Sequence, residues 1–312
     1  MSKMKSKKIC VVGSSGYIGS YLVNYLKKNY KLAAHSRKKI LDINFYNNVK
    51  KIIIGDIKNK KVINKILNYH PDTIIYTISY NHFKSEKNLN ESLRNNFEPF
   101  NYLISQIIKR NLKIKIIYFS TMQVYGREYK KKIINEDYPK NILNIYSLTH
   151  SMCEDLLFVY KNKISSHVVR LSNSFGMPIL KDLNCWCPVF NDLCRKAKKY
   201  NKIIIKADPS DLRDFISLDD ISNFVEILIR KKVKEQIINL CSSNTILIRE
   251  LAFKIAKNKY FNGKKIPVIF KKKFLKKNKN FFFIYNNDIM KKYNFKINFS
   301  LSQQIDNFLR LI

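Results

Sequence analysis

Apolar residues along the first half of the chain fall into short unbroken runs, separated by longer stretches where they recur every three or four positions. Short runs rich in Ile, Val and Tyr read as strands buried on both faces, and the longer pattern reads as amphipathic helices. The candidate strands are Lys8–Val12, Lys31–Ser36, Lys51–Ile54, Thr73–Ile78, Ile114–Ser120 and His167–Leu171. Candidate helices between them are Ser20–Asn29, Lys60–Tyr69, Ser92–Lys109 and Tyr146–Lys161, the last carrying Leu148, Met152, Leu156 and Val159 near helical spacing. Strands alternating with helices predict βαβ units and an α/β fold: a doubly wound parallel sheet with its ligand crevice at the strand C-termini. Past about Leu171 the alternation weakens into helices with short strands.

The first turn carries chemistry. Gly13-Ser-Ser-Gly16-Tyr-Ile-Gly19 joins the run Ile9-Cys-Val-Val to the first helical stretch. Glycine there permits a sharp turn and close approach of backbone to a pyrophosphate, and the helix N-terminus offers free N–H groups to the anion. A plain strand–turn–helix corner would use glycines too; the strand before and helix after favour a dinucleotide site. The second strand ends in His35-Ser36-Arg37-Lys38, roughly 20 residues on, where an acid would hold the ribose 2′-OH of NAD. Here Ser36 and Arg37 suit a 2′-phosphate instead, so NADP(H) is expected over NAD(H), although a lysine-rich chain places basic residues widely. Asp56 after the third strand suits either an adenine amino group or a helix N-cap.

Composition narrows the picture. A chain of 312 residues with 46% hydrophobic content can bury a full core. No apolar run approaches the roughly 18 residues of a membrane helix, and basic Met1–Lys8 lacks an apolar stretch, so neither span nor signal peptide is expected. Six cysteines lack metal-site spacing even at Cys185-Trp-Cys187, which reads as buried thiols, no metal and a cytoplasmic setting. The net charge of +36 comes from lysines spread along the chain. Only Lys271–Lys279 is dense, and no nucleic-acid signature accompanies it. The charge is expected to draw anionic nucleotides, not nucleic acid.

Ser120-Thr121-Met-Gln-Val-Tyr125-Gly126 ends the fifth strand, and Tyr146-Ser-Leu-Thr-His150 opens the long helix after it. A hydroxyl and a phenol at the crevice mouth make a proton-transfer pair, the phenol protonating a carbonyl oxygen as hydride arrives. His150, four residues on, shares the face of Tyr146.

With these residues the chain resembles the extended short-chain dehydrogenase/reductases, the NAD(P)-dependent epimerase/dehydratase family acting on nucleotide sugars. The resemblance runs in order through Gly13-x-x-Gly16-x-x-Gly19, Gly55-Asp56, Pro71-Asp-Thr-Ile-Ile-Tyr, Asn95 to Asn101-Tyr-Leu and Ser-Thr-x-x-Val-Tyr-Gly. It continues through Asn135-Glu136-Asp-Tyr-Pro139, Tyr146-x-x-x-His150, Arg170-Leu-Ser-Asn173-Ser-Phe-Gly176 and Arg213-Asp214-Phe215-Ile-Ser-Leu-Asp219-Asp220.

The resemblance implies that residues 1–171 form the dinucleotide domain, that 211–229 return to it, and that 172–312 are mainly a smaller substrate lobe. It implies Tyr146 as acid/base, Thr121 holding the reacting oxygen and His150 on the cofactor ribose. Cofactor contacts are expected from Gly13, Ser15, Gly16, Tyr17, Ile18, Gly19, Ser36, Arg37, Asp56, Ile57, Asn95, Tyr146 and His150. Thr121, Asn173 and Arg213 are expected on the nucleoside-diphosphate sugar. Bland roles stand beside these: Tyr125 in packing, Asn173 capping a turn, Arg213 paired with Asp214 or Asp219.

Three departures matter. His150 stands where the family carries lysine; its neutral ring can hydrogen-bond a ribose and its protonated ring can supply charge. Met122-Gln123 replace the Asp-Glu of 4,6-dehydratases, so that reaction is not expected. Around Phe281–Asp288 no arginine stands for the diphosphate. The expected protein is a homodimeric epimerase or 4-keto reductase in the synthesis of surface-polysaccharide sugars. The alternative is a binding protein that has lost turnover.

Overall fold

The computed structural model describes residues 7–40, 42–80, 82–126, 133–180, 183, 186, 188–206, 208–271, 282–298 and 300–312. Cys185, Cys187 and Lys272–Lys279 of the basic run lie outside these residues. The central sheet has seven strands, all parallel. They are β1 (Lys8–Val12), β2 (Lys31–Ser36), β3 (Val49–Ile54), β4 (Thr73–Tyr76), β5 (Lys115–Thr121), β6 (Ser165–Leu171) and, after two strands of a second sheet, β9 (Ile237–Leu240). Their spatial order is β9-β6-β5-β4-β1-β2-β3, doubly wound about β1.

Why β1 is central is visible in its side chains. Successive residues of a strand face opposite sides, and both sides of this sheet are covered. Ile9 and Val11 pack with Leu22 and Leu26 of α1 (Tyr17–Leu26), while Cys10 and Val12 pack with Ile63 of α2 (Lys60–Leu67) and Leu103 of α3 (Glu98–Lys109). α4 (Ile145–Val159) covers that second face with Cys153 and Leu157.

A second lobe grows from the sheet's C-terminal edge. Strands β7 (Asn173–Phe175), β8 (Leu212–Ser217) and β10 (Thr245–Leu247) form it, with β8 in the middle. Phe175, Phe190, Phe215 and Phe308 make its core with helices α5 (Val189–Tyr200), α7 (Ile248–Ala256) and α8 (Leu301–Leu311). Helix α6 (Leu218–Arg230) returns to the first layer. Its Phe224 and Leu228 share the core of Ile9, and Tyr21 and Tyr25 of α1 donate to its Asp219 and Glu226 at 2.6 and 2.8 Å.

The elements read from the pattern are present, with shifted ends. α1 starts at Tyr17 because Gly16 is its N-cap. Strand β4 stops at Tyr76, after which Thr77 turns over the sheet edge with its hydroxyl on Val12 O at 3.0 Å. The single helix expected over Ser92–Lys109 is a π-helical turn, Leu93–Phe97, followed by α3. Pro99 explains the break, since it lacks the N–H that a continuous α-helix needs there. Strand β9 escaped the pattern because its four residues include the buried polar Asn239, which accepts the Tyr125 hydroxyl at 2.7 Å. Cys10, Cys153, Cys194 and Cys241 are buried free thiols. Among the described residues no helix is long and apolar enough to cross a membrane.

Candidate active site

The phosphate turn is built by two glycines that no other residue can replace without strain. Gly13 holds φ +95°, and a Cβ on Gly19 would lie 2.2 Å from Gly13 O, so only glycine lets α1 lean this closely on β1. Gly16 caps α1 with backbone alone, leaving the N–H groups of the first turn without a side-chain acceptor. That uncapped N-terminus fits a pyrophosphate. Ser15, Gly16, Tyr17 and Ile18 supply the backbone around it, and Ile18 also lines the cleft at the C-terminal edge of the sheet. The side chain of Tyr17 instead ties the turn to the second lobe. Its hydroxyl donates to Gly176 O at 2.6 Å and accepts from Asn191 at 3.0 Å.

Around the adenosine side several expectations change. Ser36 is buried and donates its hydroxyl to Lys38 O at 2.7 Å, so that proton is not available to a 2′-phosphate. Arg37 is exposed at the strand end and stays available. Asp56 accepts Lys58 N–H at 2.9 Å in a local turn, and the N-cap of α2 is Asn59. Ile57 packs into the core beside Ile63. Asn95 bonds back to Glu91 O at 2.7 Å, whereas Asn96, displaced inward by the π turn, is buried. Asn96 accepts Tyr80 N–H at 2.6 Å and donates to Thr149 at 2.9 Å, fixing the loop after β4 against α4.

Thr121, Tyr146, His150, Asn173 and Arg213 all line one cleft of about 420 Å³ at the C-terminal edge of the sheet. A larger open groove of about 990 Å³ runs between α7 and α8, but its walls are residues such as Lys254, Lys257 and Gln303, and none of the motifs reaches it. Thr121 closes β5, and its oxygen accepts Gln123 N–H at 3.2 Å, leaving its proton to the cleft. Tyr146 enters from the first turn of α4, which Asn144 caps by accepting Ser147 N–H at 2.8 Å. Tyr146 shares the cleft with Thr121 and Ser79, the two hydroxyls that bear on its phenol. Burial raises its pKa above the ordinary phenol value, and those two hydroxyls only partly oppose that.

His150 is the main correction. Its ring lies 4.6 Å from that of Tyr146, edge to face, but both nitrogens are committed to protein. Nδ1 is 3.0 Å from the Tyr118 hydroxyl and Nε2 is 2.9 Å from Ser79 Oγ. Ser79 gives its own proton to Tyr80 O at 2.9 Å, so Nε2–H must donate to Ser79 and Nδ1 accept from Tyr118. The ring is neutral, and burial pushes its pKa down to about 4. It supplies no charge to Tyr146 and has no free nitrogen for a ribose.

On the substrate side Arg213 pairs with Asp211 at 2.9 Å, not with Asp214 or Asp219. Asp214 instead accepts from Ser242 and Asn244. Asn173 donates to Asp214 O at 2.9 Å, holding β7 to β8 at the cleft floor. Met122 is buried beside Val124 and Tyr125, and Gln123 accepts from Asn144 at 3.2 Å. Tyr125 is a core residue that receives Arg170 at 2.9 Å. Phe283 and Tyr285 line the cleft, within the segment whose sequence carries no arginine.

Ser79, His82 and Asn96 are site residues that no motif in the sequence assigns. Ser79 and His82 line the cleft, and His82 stacks edge-on to Tyr146 at 6.2 Å. The signal for Ser79 was its place just past a central strand's C-terminus, where ligands of such sheets bind.

Three buried histidines give a stability expectation. Burial lowers the pKa of His35, His150 and His167 below the ordinary 6.5. The unfolded chain then binds more protons, so their contribution is fully present above about pH 6.5 and fades as pH falls toward 4. His150 alone accounts for up to about 3 kcal/mol at the acid end. Urea midpoints measured from pH 8 to pH 4.5 should fall steeply below 6.5; a flat profile would contradict these neutral, buried rings.

With this geometry in place, the relatives are informative. The sequence profile of the NAD dependent epimerase/dehydratase family matches residues 9–241, and the chain belongs to that family. It is 24% identical over 237 residues to the GDP-6-deoxy-D-talose 4-dehydrogenase of Aggregatibacter actinomycetemcomitans, covering 75% of this chain and 74% of that one. A trifunctional UDP-glucose 4,6-dehydratase, 3,5-epimerase and 4-keto-L-rhamnose reductase of Arabidopsis thaliana is 26% identical, over 73% of this chain but 36% of its own length. Among solved structures, UDP-glucose 4-epimerase of Thermotoga maritima superposes with a TM-score of 0.83, 97% coverage of each chain and 18% identity. At that identity the likeness is one of fold.

Proposed function

We propose that this chain is an NADP(H)-dependent 4-keto reductase of nucleoside-diphosphate sugars. One observation carries the reading: Tyr146 and Thr121 line one cleft, and the His150 ring packed on the phenol is hydrogen-bonded at both nitrogens and brings no charge that would make the phenol a base. A protonated phenol gives its proton to the alkoxide as a ketone is reduced, and it is a poor base for oxidising an alcohol. An epimerase needs that base in the first half of every cycle. The dinucleotide, when bound, supplies the hydride. The chain holds it by the uncapped α1 turn, orients the ketone with Thr121, and meets the diphosphate with Arg213 and Asn173. Dehydration at the 4,6 positions is disfavoured, because buried Met122 and the amide of Gln123 cannot shuttle a proton.

The test is NADPH consumption with UDP-, dTDP- and GDP-4-keto-6-deoxy sugars, set beside interconversion of UDP-glucose and UDP-galactose. Reduction of a keto sugar supports the reading; interconversion without net cofactor change moves it to an epimerase. Failure of calorimetry to detect either NADPH or NADH leaves a binding protein without hydride chemistry.

Cofactor preference now rests on Arg37. Arg37→Ala is expected to weaken NADPH binding by about 10- to 100-fold, the worth of one charge-assisted contact. NADH affinity should stay within about twofold of the wild type by the same reasoning. Equal losses for both cofactors would sink the 2′-phosphate role.

A further inference from the structure

We infer that Ser79 is the positioning residue of the catalytic phenol, and that it stabilises the Tyr146 phenolate left after each proton transfer. The inference rests on the hydride-transfer reading above. Ser79 sits three residues past β4, in the same cleft as Thr121 and Tyr146. A hydroxyl has one proton and two acceptor sites. In the resting site the proton goes to Tyr80 O and one acceptor site takes His150 Nε2–H. The second acceptor site remains for the phenol O–H.

Tyr118 makes this arrangement one-way. Its hydroxyl proton fills His150 Nδ1, so the imidazole proton stays on Nε2 and points at Ser79. Tyr118 is fully enclosed beside Tyr76, Phe100 and Cys153, so this chain of hydrogen bonds ends inside the core. It therefore orients the phenol and does not carry protons out to water. When Tyr146 O–H has passed its proton to the substrate oxygen, a phenolate remains beside a neutral His150. Ser79 O–H then turns from Tyr80 O to that phenolate while His150 continues to hold its oxygen. No bond to carbon forms in this motion, and only a hydroxyl rotates. Thr121, in the same cleft, supplies a second donor.

Ser79→Ala and Ser79→Thr test this with NADPH and whichever keto sugar the wild type reduces. Ser79→Ala should lower kcat by about 10- to 100-fold, as loss of one hydrogen bond to a charged group does, with KM within about twofold. Its solvent isotope effect on kcat should rise as proton transfer becomes limiting. Ser79→Thr, which keeps the hydroxyl, should recover most of the loss. Calorimetric NADPH affinity should match the wild type in both variants; the melting temperature should match it in Ser79→Thr and fall modestly in Ser79→Ala, where His150 Nε2–H loses its acceptor. Wild-type kcat in Ser79→Ala, or a loss that Ser79→Thr does not restore and that follows weakened NADPH binding, overturns the inference alone. A wild type that reduces no keto sugar overturns the parent reading and this one together.

Discussion

Tyr146→Phe is expected to lower kcat by about 10²- to 10⁴-fold, the usual worth of a positioned general acid. The ring is retained, so its edge contacts with His150 and His82 survive and the fold should not change. The hydroxyl is the atom lost. NADPH affinity should therefore hold, because the turn from Gly13 to Gly19 lies on a different element. The substrate KM should move little if the phenol acts chiefly in the transition state. Single-turnover reduction followed by NADPH absorbance separates the two effects. A variant that keeps more than about a third of wild-type kcat would remove Tyr146 from the chemistry, since such a loss is far below what general acid catalysis contributes.

Glu154→Ala should be the most destabilising single change near the site, by about 3–5 kcal/mol. Glu154 and Arg170 are 2% and 3% exposed and meet at 2.8 Å, with the guanidinium also donating through Nε. Removing the carboxylate strands a buried cation, and the remaining contacts to Tyr125 and Glu136 O cannot neutralise it. Ser120 loses its acceptor in the same step, at 2.5 Å from Glu154, and Ser120 precedes Thr121. Stability and the aim of Thr121 should thus fail together. At roughly 2–4 °C per kcal/mol the melting temperature should drop by about 6–20 °C. Glu154→Gln keeps a hydrogen-bonding shape without the charge and should cost less. If Glu154→Ala melts like the wild type, Arg170 is not held by this pair.

What the sequence made legible was local. The β1–turn–α1 unit, Thr121 at the end of β5 and Tyr146 at the start of α4 each follow from a few consecutive residues. The state of His150 does not, because its partners Tyr118 and Ser79 arrive from 32 and 71 residues away. Neighbouring asparagines show the same limit at a smaller scale. Asn95 and Asn96 are indistinguishable by type, and only the π turn ahead of Pro99 decides which one faces inward. Arg213 has acids at 211, 214 and 219, and spacing alone does not say that Asp211 is its partner. Strand β9 was hidden because an asparagine needed for Tyr125 interrupts its apolar run.

The clasp at Tyr17 bears on how the cleft opens. Lobes joined by loops hinge where few contacts cross, and here a hydrogen-bonded knot crosses at the phosphate turn itself. Tyr17 holds Gly176 O, and Asn191 of α5 holds both of them. The two lobes are thereby tied beside the glycine turn, so an opening of the cleft that keeps this knot would have to swing about it. In such a motion the glycine-turn end of the cleft is the fulcrum and the opposite end the jaw.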